Sequence, residues 1–141
     1  MDAVSARIVE VALRWGDQDS YGHVNSVAVA RLLEEARARA LWGPGSALPP
    51  LVPGEATLSL VSEVGIRYLR VLDYSERPVP IAITVPRLGG ADLTIEFEVR
   101  SEDAARPYAT ATAKVALVDR ETGSVRRLTT DERDFLRGFA P

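Results

Sequence analysis

Apolar and polar residues alternate over residues 6–15 (Ala-Arg-Ile-Val-Glu-Val-Ala-Leu-Arg-Trp), a period that predicts a half-buried strand. From Ser26 to about Trp42 the period lengthens. Val29, Leu32, Leu33, Ala36 and Ala40 recur at helical spacing, while Glu34, Glu35, Arg37 and Arg39 fill the other faces. Glu35 and Arg39 stand four apart, a spacing that suits an ion pair on a helix. The apolar face is rich in alanine, so another element can approach the helix closely. Gly43-Pro44-Gly45 ends it, and residues 43–55 hold four prolines and three glycines, the punctuation of a loop.

Beyond Ala56 the pattern is that of strands. Residues 57–72 form a long apolar-polar run, with a bend or bulge expected near Gly65. Residues 79–88 and 92–101 flank Gly89-Gly90-Ala91, a hairpin turn. In residues 107–119 alanines and Val115 alternate with Tyr108, Thr110, Thr112 and Lys114. A short amphipathic helix over 131–139, capped by Thr129 or Thr130, closes the chain. There is no internal repeat. The order is strand, long helix, several antiparallel strands, which is an α+β layout in one domain spanning residues 1–141. A helix of about 17 residues is about 25 Å long at 1.5 Å per residue, close to the width of five strands at about 4.8 Å each. A curved antiparallel sheet around one central helix would bury it.

Composition narrows the chemistry. A net charge of −3 without a clustered basic face argues against nucleic-acid binding. No apolar run approaches a membrane span, and Met-Asp-Ala-Val-Ser-Ala-Arg lacks the form of a signal peptide, so a cytoplasmic location is expected. The absence of cysteine removes thiol nucleophiles and thiolate metal sites, and a single histidine leaves no multi-histidine metal centre within one chain. No metal is therefore expected, and the available chemistry is that of carboxylates, hydroxyls and backbone groups.

Those groups gather in residues 14–26, Arg-Trp-Gly-Asp-Gln-Asp-Ser-Tyr-Gly-His-Val-Asn-Ser, between the first strand and the long helix. A helix start offers unpaired N–H groups and partial positive charge, suited to an anion or a developing oxyanion. A carboxylate beside it is half of an acyl-transfer site.

This stretch, with Leu32-Leu33-Glu34-Glu35-Ala36-Arg37, resembles the hotdog-fold acyl-CoA thioesterases of the 4-hydroxybenzoyl-CoA thioesterase-like family. The family pattern is Asp-x-Asp-x-x-Gly-(His)-Val-Asn-Asn followed by a helix carrying Glu-Glu-Ala-Arg, and the order of elements agrees over nearly the whole chain. The resemblance implies a hotdog fold and hydrolysis of an acyl-CoA or acyl-carrier-protein thioester. It requires no cofactor, coenzyme A being part of the substrate. It places the catalytic carboxylate on Asp19 and the oxyanion-binding backbone N–H on Ser26. It also implies a homodimer or homotetramer. Two positions depart from the pattern: Ser26 replaces a second asparagine, keeping the donor and able to cap the helix, and Val29 replaces an aromatic residue, altering the pocket wall or core.

Asp19 can attack the carbonyl or act as general base on water. Asp17 is expected to bind loop amides, the alternative being a like-charge influence on Asp19. His23 is read either as a substrate-binding or proton-relaying group or as a loop hydrogen-bonder. Asn25 is expected to fix the loop, with direct substrate contact as the lesser reading, and Gly22 to allow a positive φ or a close backbone approach. Glu34 and Glu35 are read chiefly as a solvated or subunit-contacting helix face, although a second branch of hotdog enzymes uses a helix carboxylate in catalysis. Arg67, Arg70 and Arg87 lie on expected strands within possible reach of coenzyme A phosphates, with a solvated face as the plainer reading. Rival functions are a hotdog hydratase acting on enoyl or hydroxyacyl thioesters and a non-catalytic acyl-thioester-binding module.

Overall fold

The computed structural model describes residues 7–141; Ala6, where the first strand was expected to begin, and the N-terminal segment read for a signal peptide up to that point lie outside the described residues. The elements run β1 (Arg7–Val11), a 3-10 turn (Trp15–Asp17), α1 (Ser26–Leu41), β2 (Thr57–Tyr68), β3 (Val79–Leu88), β4 (Asp92–Val99), β5 (Ala109–Asp119) and α2 (Thr130–Arg137). The strands form one antiparallel sheet in the order β1-β3-β4-β5-β2. Among the described residues the architecture is α+β, with five strands and two α-helices.

Periodicity placed most of these elements, and the departures have local causes. β1 stops at Val11, four residues before the alternating pattern does, because Leu13 lies on the approach to the 3-10 turn and Trp15 is its first residue. β2 stops at Tyr68, short of residue 72, since residues 69–74 leave the sheet to accompany the loop before α1. The bulge in β2 lies at Ser62, between Val61 and Glu63, where Ser62 Oγ donates 3.3 Å to the Lys114 carbonyl. Gly65, the expected bend, pairs with Thr112 in regular register. The extra residue at 62 has a clear purpose. Opposed residues share a face of an antiparallel pair, so Val61, opposite Val115, and Val64, opposite Ala113, both point to the core side although three residues apart. A second register shift in β3 surrounds Pro86, which has no N–H to give; there the Val85 N–H leaves the ladder for the Phe139 carbonyl at 2.8 Å.

The core is one cluster. Leu32, Leu33, Ala36, Ala40 and Leu41 of α1 face Ile81 and Ile83 of β3, Leu93, Ile95 and Phe97 of β4, and the alanines of β5. The small β5 side chains leave room for the helix against the sheet. The opposite flank of α1 is pinned to β1: Arg39 Nη2 donates 2.9 Å to the Glu10 carbonyl. α2 is capped by Thr129, whose hydroxyl accepts from the Glu132 N–H, while the Glu132 carboxylate accepts from the Thr129 N–H. Buried Glu132 also takes a bidentate pair from Arg126 at 2.9 and 2.8 Å, and that bond, outweighing burial, holds its carboxyl below the ordinary range.

Strand β2 sits at one edge and is only partly covered. Its core-side residues Val61, Val64 and Tyr68 are 40%, 54% and 51% exposed. Helix α1 is tied to this strand at both ends, through Tyr68 Oη to the Ser26 carbonyl (3.3 Å) and Trp42 Nε1 to Ser59 Oγ (3.2 Å). Between those ties lies an apolar row that the described residues leave half exposed.

Candidate active site

The loop between β1 and α1 is shaped by its two aspartates in different ways. Asp17 is 1% exposed. Its Oδ2 accepts from the Arg14 N–H at 2.7 Å and from Arg31 Nη2 at 2.6 Å, and its Oδ1 accepts from Arg14 Nη2 at 3.1 Å. Burial alone would raise this carboxyl; the Arg14 N–H and the two guanidinium groups outweigh it and hold the pKa below the usual value. The partners are thus one loop amide and two arginines, where loop amides alone were expected. The Asp17 carbonyl in turn accepts the Asn25 N–H at 3.0 Å, fixing the start of α1.

Asp19 is exposed, and its carboxylate folds over the loop. Oδ1 accepts from the N–H groups of Tyr21 (2.8 Å) and His23 (3.1 Å). The His23 amide, and secondarily that of Tyr21, hold the Asp19 carboxyl below the ordinary range against a smaller desolvation effect. Among the described residues Oδ2 has no hydrogen-bond partner, so one carboxylate oxygen is oriented and the other is open. Gly22 turns the loop with φ +80°, a region where a side chain is strained. Its carbonyl accepts from the Tyr74 N–H at 2.9 Å, and the Leu72 carbonyl accepts from the Val24 N–H at 2.8 Å. Residues 72–74 therefore run beside 22–24 as a short ladder.

The helix start has a different cap from the expected one. Asn25, with φ −78° and ψ 166°, is the N-cap, and its Oδ1 accepts from the Ala28 N–H at 2.8 Å. Ser26, which the sequence allowed as a cap, is the first helical residue, because the preceding asparagine already occupies the cap geometry. The Val29 N–H bonds the Asn25 carbonyl. Among the described residues this leaves the N–H groups of Ser26 and Val27 without partners, two of the orphan donors every helix start carries.

Asp19, His23, Asn25 and Ser26 line one pocket of about 580 Å³, walled by Val29 and by Tyr68, Leu72 and Tyr108. Asp17 and Gly22 lie behind it. His23 presents Nε2 3.8 Å from Asp73 Oδ1, beyond hydrogen-bond length but within reach of a charge contact. Glu35 is engaged on the helix surface by Arg31 (3.0 Å) and Arg39 (3.1 Å), and Glu34 is exposed beside Arg37 at 3.7 Å; neither lines the pocket. Arg67 opposes Thr110 and Arg87 opposes Thr94, both on the polar outer face of the sheet, whereas Arg70 reaches the pocket wall. Tyr68, Leu72 and Tyr108 were not read from the sequence as site residues. Tyr68 and Tyr108 read simply as members of strand patterns, and Leu72 belongs to the apolar tail after β2, which periodicity absorbed into the strand.

The profile of the thioesterase-like superfamily matches residues 13–137. The chain belongs to this superfamily. The match contains the loop, both helices and the sheet except β1, so family and fold agree over the same residues. No curated protein matches the sequence. Solved structures do. The PA2801 protein of Pseudomonas aeruginosa is 27% identical, with a TM-score of 0.74 over 90% of this chain and 95% of its own. The DHNA-CoA thioesterase of Staphylococcus aureus is 18% identical, with a TM-score of 0.77 over 95% of this chain and 88% of its own. The PA5185 protein of Pseudomonas aeruginosa is 20% identical, with a TM-score of 0.77 over 95% and 91%. Thioester hydrolysis is the chemistry the superfamily points to, and no helix among the described residues is long and apolar enough to cross a membrane.

Proposed function

We propose that this superfamily member hydrolyses acyl thioesters of coenzyme A or acyl-carrier protein, in a hotdog unit whose sheet curls about α1. The reading is supported by one juxtaposition: Asp19, with one open carboxylate oxygen, and Ser26, whose N–H has no partner among the described residues, line the same pocket. The substrate carbonyl oxygen lies against the Ser26 N–H, and the donor strengthens as that oxygen gains charge. Asp19 Oδ2 removes a proton from water as the water oxygen bonds to the carbonyl carbon, or bonds to that carbon itself. Collapse of the tetrahedral intermediate breaks the C–S bond and expels the thiolate. In the second route water then cleaves the Asp19 anhydride. In both, the products are a carboxylic acid and a thiol. The thiolate is a good leaving group, so a strong general acid is unnecessary.

Free-thiol release from a panel of acyl-CoAs tests this. Turnover is expected; hydration of enoyl-CoA without thiol release, or binding without turnover, would overturn it.

The working unit in this proposal is a homodimer or a dimer of dimers. The half-exposed row Val61, Val64 and Tyr68 on an edge strand supports it, since such an edge favours pairing with a second chain. Sedimentation at micromolar concentration is expected to give at least twice the 15.3 kDa chain mass. Val64→Asp, tolerable on a free surface but buried in such an interface, should shift the protein to monomer. A wild-type monomer would exclude this assembly.

A further inference from the structure

Beside the pocket that holds Asp19 lies a second cavity of about 410 Å³, lined by the apolar Leu13, Pro78, Val79 and Pro80 together with the charged Glu10, Asp73, Arg77, Arg100 and Glu102. Leu72 and Tyr108 line both cavities. We infer that these two side chains are a partition that limits acyl chain length, and that the second cavity is the space a longer chain would enter. The inference rests on the thioesterase reading and extends it to specificity.

The partition is held in place from several directions. The Tyr108 N–H donates to the Val99 carbonyl at 2.8 Å, and the Tyr108 carbonyl accepts from the N–H groups of Leu69 (2.9 Å) and Arg70 (3.1 Å). Its ring packs against the core, with the Arg70 guanidinium 4.9 Å from the ring centroid. Arg70 is itself fixed by Ser101 Oγ at 3.2 Å and the Arg106 carbonyl at 2.6 Å. Leu72 packs on the same core, and its carbonyl is anchored by the Val24 N–H. Both backbones are thus fixed by bonds that do not involve the side chains, so shortening either side chain removes the wall and keeps the chain path. Val24 and Val29, both aliphatic, line the same pocket as Asp19, Ser26 and this wall, so they are surfaces open to the acyl group of a thioester held there. Beyond it Leu13, Pro78 and Val79 offer a strip of apolar surface beside the charged side chains of the second cavity.

The test is the kcat/KM profile across saturated acyl-CoAs of increasing length for wild type, Tyr108→Ala and Leu72→Ala. Each alanine variant is expected to raise the ratio of long-chain to short-chain kcat/KM at least about tenfold, the lower end of what the fit of one methylene is worth. Tyr108→Phe keeps the ring and should keep the wild-type profile. Circular dichroism identifies folded variants; the two substitutions lie on separate segments, so either one alone decides. An active wild type whose folded alanine variants retain its profile overturns the partition alone. So does a phenylalanine variant that shifts as far as alanine. A wild type that hydrolyses no acyl thioester overturns the functional reading and this inference together.

Discussion

Asp19→Asn should lower kcat for acyl-thioester hydrolysis by about 10²–10⁴-fold, the range that a positioned acid-base group contributes, while leaving the melting temperature essentially unchanged. Asparagine is the informative replacement. It keeps an oxygen to accept the Tyr21 and His23 N–H groups, so the loop retains the bonds that shape it. It loses the charge and the basic second oxygen, which are what the chemistry needs. Because those N–H groups already hold the carboxyl below 3.8, the wild-type kcat/KM should decline with acid only below that value. Steady-state kinetics across pH, paired with a thermal melt, read both parts. An Asp19→Asn protein with wild-type turnover would remove Asp19 from the mechanism.

The largest effect on stability is expected from Arg31→Ala. Removing one partner of a buried pair leaves the other charge uncompensated, at a cost of about 3–5 kcal/mol. Arg14 still contacts Asp17, so the lower end applies, about 3 kcal/mol, which for a chain of this size lowers Tm by roughly 10 °C. The pH dependence has a definite sign. The folded pKa of Asp17 is depressed, so its contribution is complete above the unfolded carboxylate value of about 3.9 and is lost as pH falls through the folded value. The gap between wild type and Arg31→Ala should therefore be full at neutral pH and narrow below about pH 4. Urea unfolding at neutral and acid pH measures it. A neutral-pH difference within about 0.5 kcal/mol, the scatter of ordinary surface substitutions, would show that Arg14 alone satisfies Asp17.

What the sequence disclosed and what it withheld divide by range along the chain. The helix over 26–41, the Gly89-Gly90 hairpin and the capped C-terminal helix were legible because periodicity, turn chemistry and caps act among neighbours. The loop over 14–26 was legible as a unit for the same reason. The partner of Asp17 was not: Arg31 lies fourteen residues away, on a helix face that reads as surface, and only folding brings it onto the carboxylate. The ladder between 22–24 and 72–74 joins segments about fifty residues apart, with no local mark on either. The bulge at Ser62 shows a subtler limit. Glycine drew the expectation to residue 65, whereas the informative pattern was the three-residue step from Val61 to Val64, which places both on the core side only if one residue is skipped. The wall formed by Leu72 and Tyr108 depends on all of these long-range pairings and so had no separate signature.

The ladder also bears on how the site comes into being. Since Gly22 and Val24 are bonded to Tyr74 and Leu72, and Asn25 to Asp17, the carboxylate and the helix start are arranged when the chain folds. A loop held this way keeps its shape through backbone bonds rather than through contacts with a ligand. In the proposed hydrolysis, the reorganisation that a solvent cage would undergo around a forming oxyanion would thus be largely complete in the fold. Binding free energy from the acyl group is then left for the transition state instead of being consumed in assembling the groups that meet it.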